Sequence, residues 1–267
     1  MRISLIGGGV MGESVICGVL NKGISTPQEI IVSDINDDRR KFLKETHGIE
    51  VSADNRLAIA KAEIIILSVL PRTLPSVVQD LNGSLNSNQI VLSILAGTPI
   101  TTISQGLNHE TIARAMPNMP AQIGEGITVW TTTNKVNQRQ KAKVSAVVGS
   151  LGKELYVSEE TYIDMATAVS GSGPAYVLLV IEAYIDAAVH IGIPRELAEE
   201  LVLNTISGTT HFAQQAGKHP AELRNLVTSP GGTTTEGLLC LEEGSIRALF
   251  TQAISASYEK AQLLSRR

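Results

Sequence analysis

Cysteine, aromatic residues and net charge are all scarce in this sequence of 267 residues. It contains two cysteines, one Trp, five Tyr and three Phe, and its formal net charge is −4. Cys17 and Cys240 are far apart and have no metal-ligand spacing, so we expect two reduced thiols and a cytoplasmic protein. The missing basic stripe and the few aromatic rings argue against a nucleic-acid partner.

Long hydrophobic runs are absent as well. The longest wholly apolar run is Ala175 to Ile181, whereas about 18 residues are needed to span a membrane. We therefore expect a soluble protein with no membrane partner. No metal site is predicted either, because the five histidines lie in separate segments without metal-ligand spacing: His47, His109, His190, His211 and His219.

Up to about residue 157, short apolar runs alternate with helix-period stretches. This alternation is typical of βαβ units and predicts an α/β, Rossmann-type doubly wound sheet with helices on both faces. The last one or two strands are those that could run antiparallel. The predicted strands are Ile3–Ile6, Ile30–Ser33, Ile64–Val69, Ile90–Leu95, Ile112–Met116, Ile127–Thr131 and Leu155–Val157.

After Val157 the strand-like runs stop, and long helix-period stretches follow, with prolines 174, 194 and 220 at their expected first turns. We predict two domains, a nucleotide-binding sheet domain at residues 1–158 and an all-helical domain at residues 159–267. The segment Pro174 to His190 is apolar nearly all round, which predicts burial on most sides. We hypothesise that a second subunit covers it.

Three glycines, Gly7, Gly9 and Gly12, form a G-x-G-x-x-G motif between the first predicted strand and a helix-period run that starts at Val10. The first glycine permits a tight turn, the second lets a pyrophosphate approach the backbone, and the third lets helix and strand pack closely. The helix N-terminus offers free N–H groups to the phosphates. At the first strand of a βαβ array, the motif predicts a dinucleotide site rather than a plain turn.

Cofactor preference is left open by the residues after the second predicted strand. Asp34 follows Gly12 by about 20 residues, where an acid commonly binds the ribose 2′-hydroxyl of NAD and would repel a 2′-phosphate. Arg39 and Arg40 follow closely and could pair with that phosphate. The alternative is a turn at Asp34 with solvated arginines. We predict that Asp34→Ser raises the preference for NADPH.

Two later segments have more small residues and prolines than a connection requires. In residues 114–120, Asn118 follows a predicted strand, where ligands bind in open α/β sheets. It either donates to a nicotinamide or substrate oxygen or forms an Asx turn between prolines. The segment Ser170 to Ala175 either lets a ligand approach backbone N–H groups or packs helices tightly.

A third segment, Ser229 to Glu236, is a glycine-rich run into a predicted helix. Thr233 and Glu236 have the spacing of a capping box, which would leave the hydroxyl of Thr234 free. Two consecutive glycines before a cap exceed what capping needs. This pattern favours a carboxylate held by loop amides and the helix N-terminus, with a threonine hydroxyl beside it.

Four motifs together, GGGVMG, RAMPNMP, SGSGPAYV and HPAELRNLVTSPGGTT, resemble those of pyrroline-5-carboxylate reductase, and the resemblance runs from Ile3 to about Leu264. It implies reduction of 1-pyrroline-5-carboxylate to L-proline, the last step of proline synthesis, with NADPH or NADH. It further implies that the helical domain binds substrate and pairs two subunits into a homodimer, and that five dimers can form a decamer.

The resemblance also implies site residues. A substrate loop falls on Ser229, Gly231, Gly232 and Thr234, with backbone amides on the carboxylate and the Thr234 hydroxyl at the ring nitrogen, and Asn118 lies beside the nicotinamide pocket. Cofactor-binding positions fall on Ile6, Gly7, Gly8, Gly9, Val10, Met11, Gly12, Asp34, Asn55, Ser68, Val69, Leu70, Pro71 and Ile94 to Ala96.

Three departures from the family pattern accompany the resemblance. Leu70 stands where many members have lysine, Met119 where threonine is usual, and Asp34 where many have a small neutral residue. The changes at Leu70 and Met119 keep open a second hypothesis, an NAD(P)H-binding sensor or assembly protein without turnover. A deazaflavin-linked NADP reductase is disfavoured because it would leave the SPGGTT loop unexplained.

A β-hydroxyacid dehydrogenase has the same sheet-then-helices architecture and is the nearest enzymatic alternative. It is disfavoured because its catalytic lysine belongs on the long central helix, and this chain has no lysine between Lys153 and Lys218.

Overall fold

The computed structural model describes residues 1–265. These residues form two compact units, one of residues 1–174 together with 256–265, and a helical unit of Ala175–Ser255. Residues 266 and 267, with which the predicted helical domain ends, lie outside the described residues.

An eight-stranded sheet forms the centre of the first unit, in the order β3-β2-β1-β4-β5-β6-β7-β8. Strands β1 to β6 are parallel, β7 is antiparallel to β6, and β8 is parallel to β7. The doubly wound fold is confirmed, and of the two directions left open for the last two strands the structure has the reversed one. The strands are β1 Ile3–Ile6, β2 Ile30–Ser33, β3 Glu50–Ser52, β4 Ile64–Leu67, β5 Ile90–Ser93, β6 Ile112–Met116, β7 Gly126–Thr132 and β8 Gly152–Tyr156.

Apolar residues on successive positions produce this sheet because both of its faces are covered. All residues of β1, β4 and β5 are buried, and alternate positions face two separate hydrophobic clusters. The helices between the strands are α1 Val10–Asn21, α2 Asp37–His47, α3 Asn55–Ile59, α4 Leu74–Leu81, α5 Ile100–Leu107 and α6 Gln138–Gly149, and α7 Thr161–Ala166 follows the last strand.

Local sequence explains several helix ends. Asn36 begins α2 by accepting a hydrogen bond from the Arg39 N–H, and Gly48 ends it in the left-handed conformation. Asn137 and Gln140 form a capping box at α6. A π-helical turn, Thr167–Gly171, follows α7.

The helical unit leaves most of its apolar side chains on the surface of the single chain. Only Ile185 and Ala188 are buried on the long helix α8, and they pack with Ala198 and Val202 of α9. Five helices follow the π-helical turn, in chain order α8 Gly173–His190, α9 Arg195–Ala216, α10 Pro220–Leu226, α11 Thr233–Glu243 and α12 Ile246–Ser265. Pro220 is the first residue of α10, as predicted, and Pro194 precedes α9.

The continuous helical stretch Thr161–His190 is long and apolar enough to cross a membrane by length and composition. Within an 18-residue window of it, only 6% of the positions are buried inside the single chain. The longest wholly apolar run therefore understates how apolar this helix is as a whole.

Candidate active site

The glycine motif forms the turn between β1 and α1 at the carboxyl end of the sheet. Gly7 has φ +98, its N–H donates to the Ser33 carbonyl at 2.8 Å, and a Cβ on it would lie 2.8 Å from the Ser68 carbonyl oxygen. A Cβ on Gly12 would lie 2.6 Å from the Gly7 carbonyl oxygen, whereas one on Gly9 would meet nothing within 4 Å. The turn, the close helix packing and the open approach that a pyrophosphate requires are therefore all present, and these residues fit a dinucleotide.

The order of the strands reverses between β1 and β4, which is where open α/β sheets bind ligands. Ser68 follows β4, and its hydroxyl donates to the Gly7 carbonyl at 2.5 Å and to the Ile6 carbonyl at 3.2 Å. This pair of bonds ties the end of β4 to the glycine turn. Ile6 is buried, while Val10 at the start of α1 is 64% exposed.

Beyond Ser68 the chain borders a mainly apolar cavity of about 540 Å³. Leu70 is 57% exposed, and Pro71 begins a 3-10 turn. Leu264, near the end of α12, approaches so closely that a Cβ on Gly97 would lie 2.6 Å from its Cβ. The structure thus brings Leu70, Pro71 and Ala96 to one cavity, with Leu264 on its wall.

Asp34 lies directly after β2 and holds the glycine turn. Its Oδ2 accepts a hydrogen bond from the Gly8 N–H at 2.8 Å, and its Oδ1 accepts one from the Asn36 N–H at 2.9 Å. Two backbone donors therefore fix the carboxylate beside the glycine motif. The spacing in the sequence locates this residue correctly, but the bond to Gly8 is visible only in the fold.

An ion-pair cluster that the sequence did not reveal lies beside the same turn. Arg39 donates through Nε to the Gly8 carbonyl and through Nη2 to Glu13 Oε2, both at 2.5 Å. His47 Nε2 lies 3.0 Å from Glu13 Oε1. Burial raises the pKa of Glu13, but the hydrogen bonds from Arg39 and His47 outweigh it and hold the pKa below its ordinary value. Glu13 is therefore ionised at neutral pH.

Two predicted side-chain donors are already oriented by contacts within the fold. The Asn55 amide donates to Asp80 Oδ2 at 2.9 Å. Asn118 Oδ1 accepts from the Ile127 N–H at 2.9 Å and precedes the 3-10 turn Met119–Ile123. The Asn118 side chain makes no capping hydrogen bond to this turn, so the Asx turn is not formed, and the bond to Ile127 uses the oxygen and not the Nδ2 donor.

The Ser170 to Ala175 segment starts in the π-helical turn and packs against the segment that contains Asn118. A Cβ on Gly171 would lie 2.9 Å from the Met116 methyl group. The Ser172 and Ser257 hydroxyls are 3.1 Å apart. Gly171 therefore serves close packing, one of the two alternatives for this segment, whereas a Cβ on Gly173 would meet nothing within 4 Å.

The glycine-rich loop before α11 belongs to the helical unit and closes on one carbonyl. The Ser229 oxygen accepts from the Gly232 N–H at 3.0 Å and from the Thr235 hydroxyl at 2.8 Å. Gly231 has φ +69, a conformation that favours glycine. A Cβ on Gly232 would lie 2.5 Å from Ser229 Oγ. The loop therefore favours glycine at 231 through its backbone conformation and at 232 through the nearness of the Ser229 side chain.

The predicted capping box at this loop is wrong. The N-cap is Gly232, and no side chain makes a capping hydrogen bond. Closure on Ser229 starts the helix one residue early, so Thr233 becomes its first residue. Thr233 and Thr234 are exposed, and their N–H groups belong to a first turn that has no intrahelical acceptors. The exposed first-turn N–H groups and the exposed Thr234 side chain agree with the prediction for this loop.

Arg114 is a further residue that the sequence reasoning passed over. It is 1% exposed, and its Nη1 and Nη2 donate to Glu160 and Asp164, each at 2.7 Å. Glu160 also accepts from the Ile100 N–H at 2.8 Å, and the Ser265 hydroxyl lies 3.2 Å from Asp164. The signal was a single cation in an otherwise apolar strand. This cluster ties β6, α5 and α7 to the end of α12.

Comparison with known proteins accounts for the chain from end to end. A family model described as pyrroline-5-carboxylate reductase dimerisation matches residues 160–264, and one described as NADP oxidoreductase, coenzyme F420-dependent, matches residues 2–97. A pyrroline-5-carboxylate reductase of Synechocystis sp. is 39% identical, with 100% of this chain and 99% of the relative covered.

Two solved structures have the same fold over the whole chain. A pyrroline-5-carboxylate reductase from Coxiella burnetii is 34% identical with a TM-score of 0.90, covering 99% of this chain and 98% of that one. Pyrroline carboxylate reductase from Plasmodium falciparum, solved with NADP bound, is 30% identical with a TM-score of 0.91, again covering 99% and 98%.

Proposed function

The chain belongs to the pyrroline-5-carboxylate reductase family, and on that premise we propose that it reduces 1-pyrroline-5-carboxylate to L-proline with NADPH or NADH. The observation that carries the proposal is the open glycine motif, which occurs in one chain with a glycine loop before α11 whose first-turn N–H groups are exposed. End-to-end likeness to reductases of this name supports it.

The cofactor-binding part of the proposal assigns residues 1–158 to the dinucleotide. Gly7 to Gly12 and the α1 N-terminus would hold the pyrophosphate, and Asp34 the adenosine ribose. Asn55, Ser68 to Pro71 and Ala96 would line the rest of its path. The nicotinamide, when bound, supplies the hydride for the C=N bond.

The substrate-binding part assigns residues 159–267 to the substrate and to pairing of subunits. The loop N–H groups around Gly231 and Gly232, with Ser229, would bind the carboxylate. The Thr234 hydroxyl would orient the ring nitrogen, and Asn118 would donate to a nicotinamide or substrate oxygen. The ring carbon accepts the hydride, the C=N bond becomes C–N, and the nitrogen keeps its proton.

Little acid–base chemistry is needed from the protein, because a protonated imine is already electrophilic. The protein then contributes by holding the reactants in position and excluding water. No described residue is required as a strong acid by this scheme. A hydroxyl that orients the nitrogen and relays a proton contributes a modest factor compared with a dedicated acid–base group.

Replacement of Thr234 by alanine tests the substrate-binding part. We expect kcat/KM for 1-pyrroline-5-carboxylate to fall about 10- to 100-fold, with no change in the NAD(P)H dissociation constant. Thr233→Ala is the matched control, since Thr233 is its exposed neighbour on the first turn of α11. Full turnover by the Thr234 variant would remove that residue from the site.

Consumption of NAD(P)H on adding 1-pyrroline-5-carboxylate tests the reaction itself. We expect absorbance at the reduced-nicotinamide band to fall with formation of proline in equal amount. A protein that binds NADH or NADPH tightly and consumes neither would instead be the sensor of the alternative hypothesis.

Assembly into homodimers, with a decamer of five dimers as the larger form, is part of the proposal. The exposed apolar side chains of α8 and the match to a dimerisation model support it. Sedimentation at micromolar concentration should give at least a dimer, and a monomer would contradict it. A cytoplasmic location is proposed as well, supported by the two free cysteines; fractionation of the source cells checks it.

A further inference from the structure

We infer that this chain uses NADH in preference to NADPH, because Asp34 holds a carboxylate at the adenosine-ribose position while Glu13 binds Arg39. The inference rests on the proposed function for the identity of the site. It goes further by deciding between two cofactors that the sequence leaves open.

The Asp34 carboxylate is fixed and cannot simply turn away. The Gly8 and Asn36 N–H groups bind its two oxygens at 2.8 and 2.9 Å. Each oxygen retains a lone pair, and these can accept hydrogen bonds from the two hydroxyls of an adenosine ribose. A 2′-phosphate has no hydroxyl to donate at that position and brings negative charge to a fixed negative group.

Arg39 is the obvious partner for a 2′-phosphate, but it is already held. Its Nε donates to Gly8 and its Nη2 to Glu13, and the guanidinium lies 5.0 Å from the centre of the Phe42 ring. The Arg39 and Glu13 side chains are only 24% and 26% exposed, so solvent screens the pair only in part. Glu13 therefore neutralises the charge that NADPH binding would require.

Arg40 is bound in a similar way. Its Nη1 donates to the Asp34 carbonyl at 2.7 Å, and its Nη2 pairs with Asp37 at 2.6 Å. The charged groups joined by these contacts are the carboxylates of Asp34, Asp37 and Glu13, the two guanidinium groups and His47. Acids outnumber the permanent cations, so the local field disfavours a phosphate dianion.

The wild-type protein gives the first test, through kcat/KM for each cofactor at saturating 1-pyrroline-5-carboxylate and through the dissociation constant of each cofactor alone. We expect both measures to favour NADH by about tenfold or more, the size expected of one unfavourable charge pair at a partly buried site. Equal values, or a preference for NADPH, would overturn the inference.

Two substitutions separate the contributions. Asp34→Asn keeps an oxygen to accept the Gly8 hydrogen bond but removes the charge, and we expect the NADH-to-NADPH ratio to fall about tenfold. Adding Glu13→Gln removes the negative charge that neutralises Arg39 and should lower the ratio by about a further threefold to tenfold. An unchanged ratio in both variants would overturn the inference.

Asp38→Asn is the matched control, because it removes one acid from the same helix turn without touching Gly8 or Glu13, and its ratio should equal that of the wild type. Thermal unfolding of each variant shows whether the substitution has destabilised the fold. If Asp34→Asn is unstable, the Glu13→Gln single variant still tests the inference through its NADH-to-NADPH ratio.

Binding and turnover distinguish this inference from the proposed function. Tighter binding of NADH without consumption of 1-pyrroline-5-carboxylate would contradict the proposed reaction but support the preference for NADH. Turnover of 1-pyrroline-5-carboxylate with a preference for NADPH would support the proposed reaction and contradict the preference for NADH.

Discussion

In the sheet, every residue of β1, β4 and β5 is buried, whereas on helix α8 only Ile185 and Ala188 are buried within a single chain. Leu179 of α8 is 65% exposed, and other large apolar residues of the helical unit are exposed by about half of their surface or more, among them Val177, Leu178, Tyr184, Leu203 and Phe212. Both regions are rich in aliphatic residues, so composition does not explain the difference.

The difference teaches where each unit finds its stability. The sheet buries its apolar surface against helices of the same chain. Its free energy of unfolding should therefore not depend on protein concentration. The helical unit has four buried residues in its cluster and keeps most of its apolar surface for another subunit. If a second subunit covers that surface, the stability of the helical unit depends on protein concentration.

The largest effect is expected from breaking the buried cluster of the first unit. Arg114→Met leaves the Glu160 and Asp164 carboxylates without their cation, which costs about 3–5 kcal/mol of unfolding free energy. Chemical denaturation at two protein concentrations should show the same loss at both. The control is Arg195→Ala, since Arg195 pairs with Asp186 at 2.8 Å on the helical unit with both side chains 58% exposed; its unfolding midpoint should not move.

A smaller effect, which depends on concentration, is expected from an acid on α8. Leu179→Asp would place a charge in a desolvated contact between subunits, and we expect the dimer dissociation constant to rise at least about 100-fold. Sedimentation velocity measures it. Leu57→Asp makes the same change on α3 at a leucine that is 68% exposed, and it should leave assembly unchanged. Equal assembly of both variants would argue that α8 faces solvent.

The smallest effects are expected from one methyl group in each unit. Gly12→Ala forces a Cβ against the Gly7 carbonyl and should lower stability by about 1–3 kcal/mol and weaken dinucleotide binding. Gly208→Ala lies within α9, where a Cβ meets nothing within 4 Å, and helix propensity alone should raise stability by about 0.5–1 kcal/mol. A loss of stability at Gly208 would mean that another subunit occupies that space.

Much of the sheet is predictable because its strands are apolar on consecutive positions. Seven of the strands are anticipated within a few residues of their ends, and the strand that is missed, β3, is a three-residue edge strand with two polar residues. Glu50 and Ser52 give no apolar run to detect. Pairing with β2 alone, rather than local sequence, makes this segment a strand.

The candidate site is predictable where one residue type is needed for a local reason. Gly7 and Gly12 have the steric roles that their spacing predicts, and Asp34 lies at the end of β2. Contacts between distant residues are not predictable from one sequence, which is why the Glu13–Arg39 pair and the Arg114 cluster were missed. The capping box failed for a related reason, because loop closure on Ser229 decides where α11 begins.

Helix α12 begins in the helical unit, yet residues 256–265 belong with the sheet. Leu264 lies against Gly97, and the Ser265 hydroxyl lies beside Asp164. A ribosome makes these residues after those of the helical unit, so the nucleotide-binding unit starts before the helical unit and is completed after it. In a nascent chain, the cavity beside Leu70 therefore lacks one of its lining residues, Leu264, until that residue has been made.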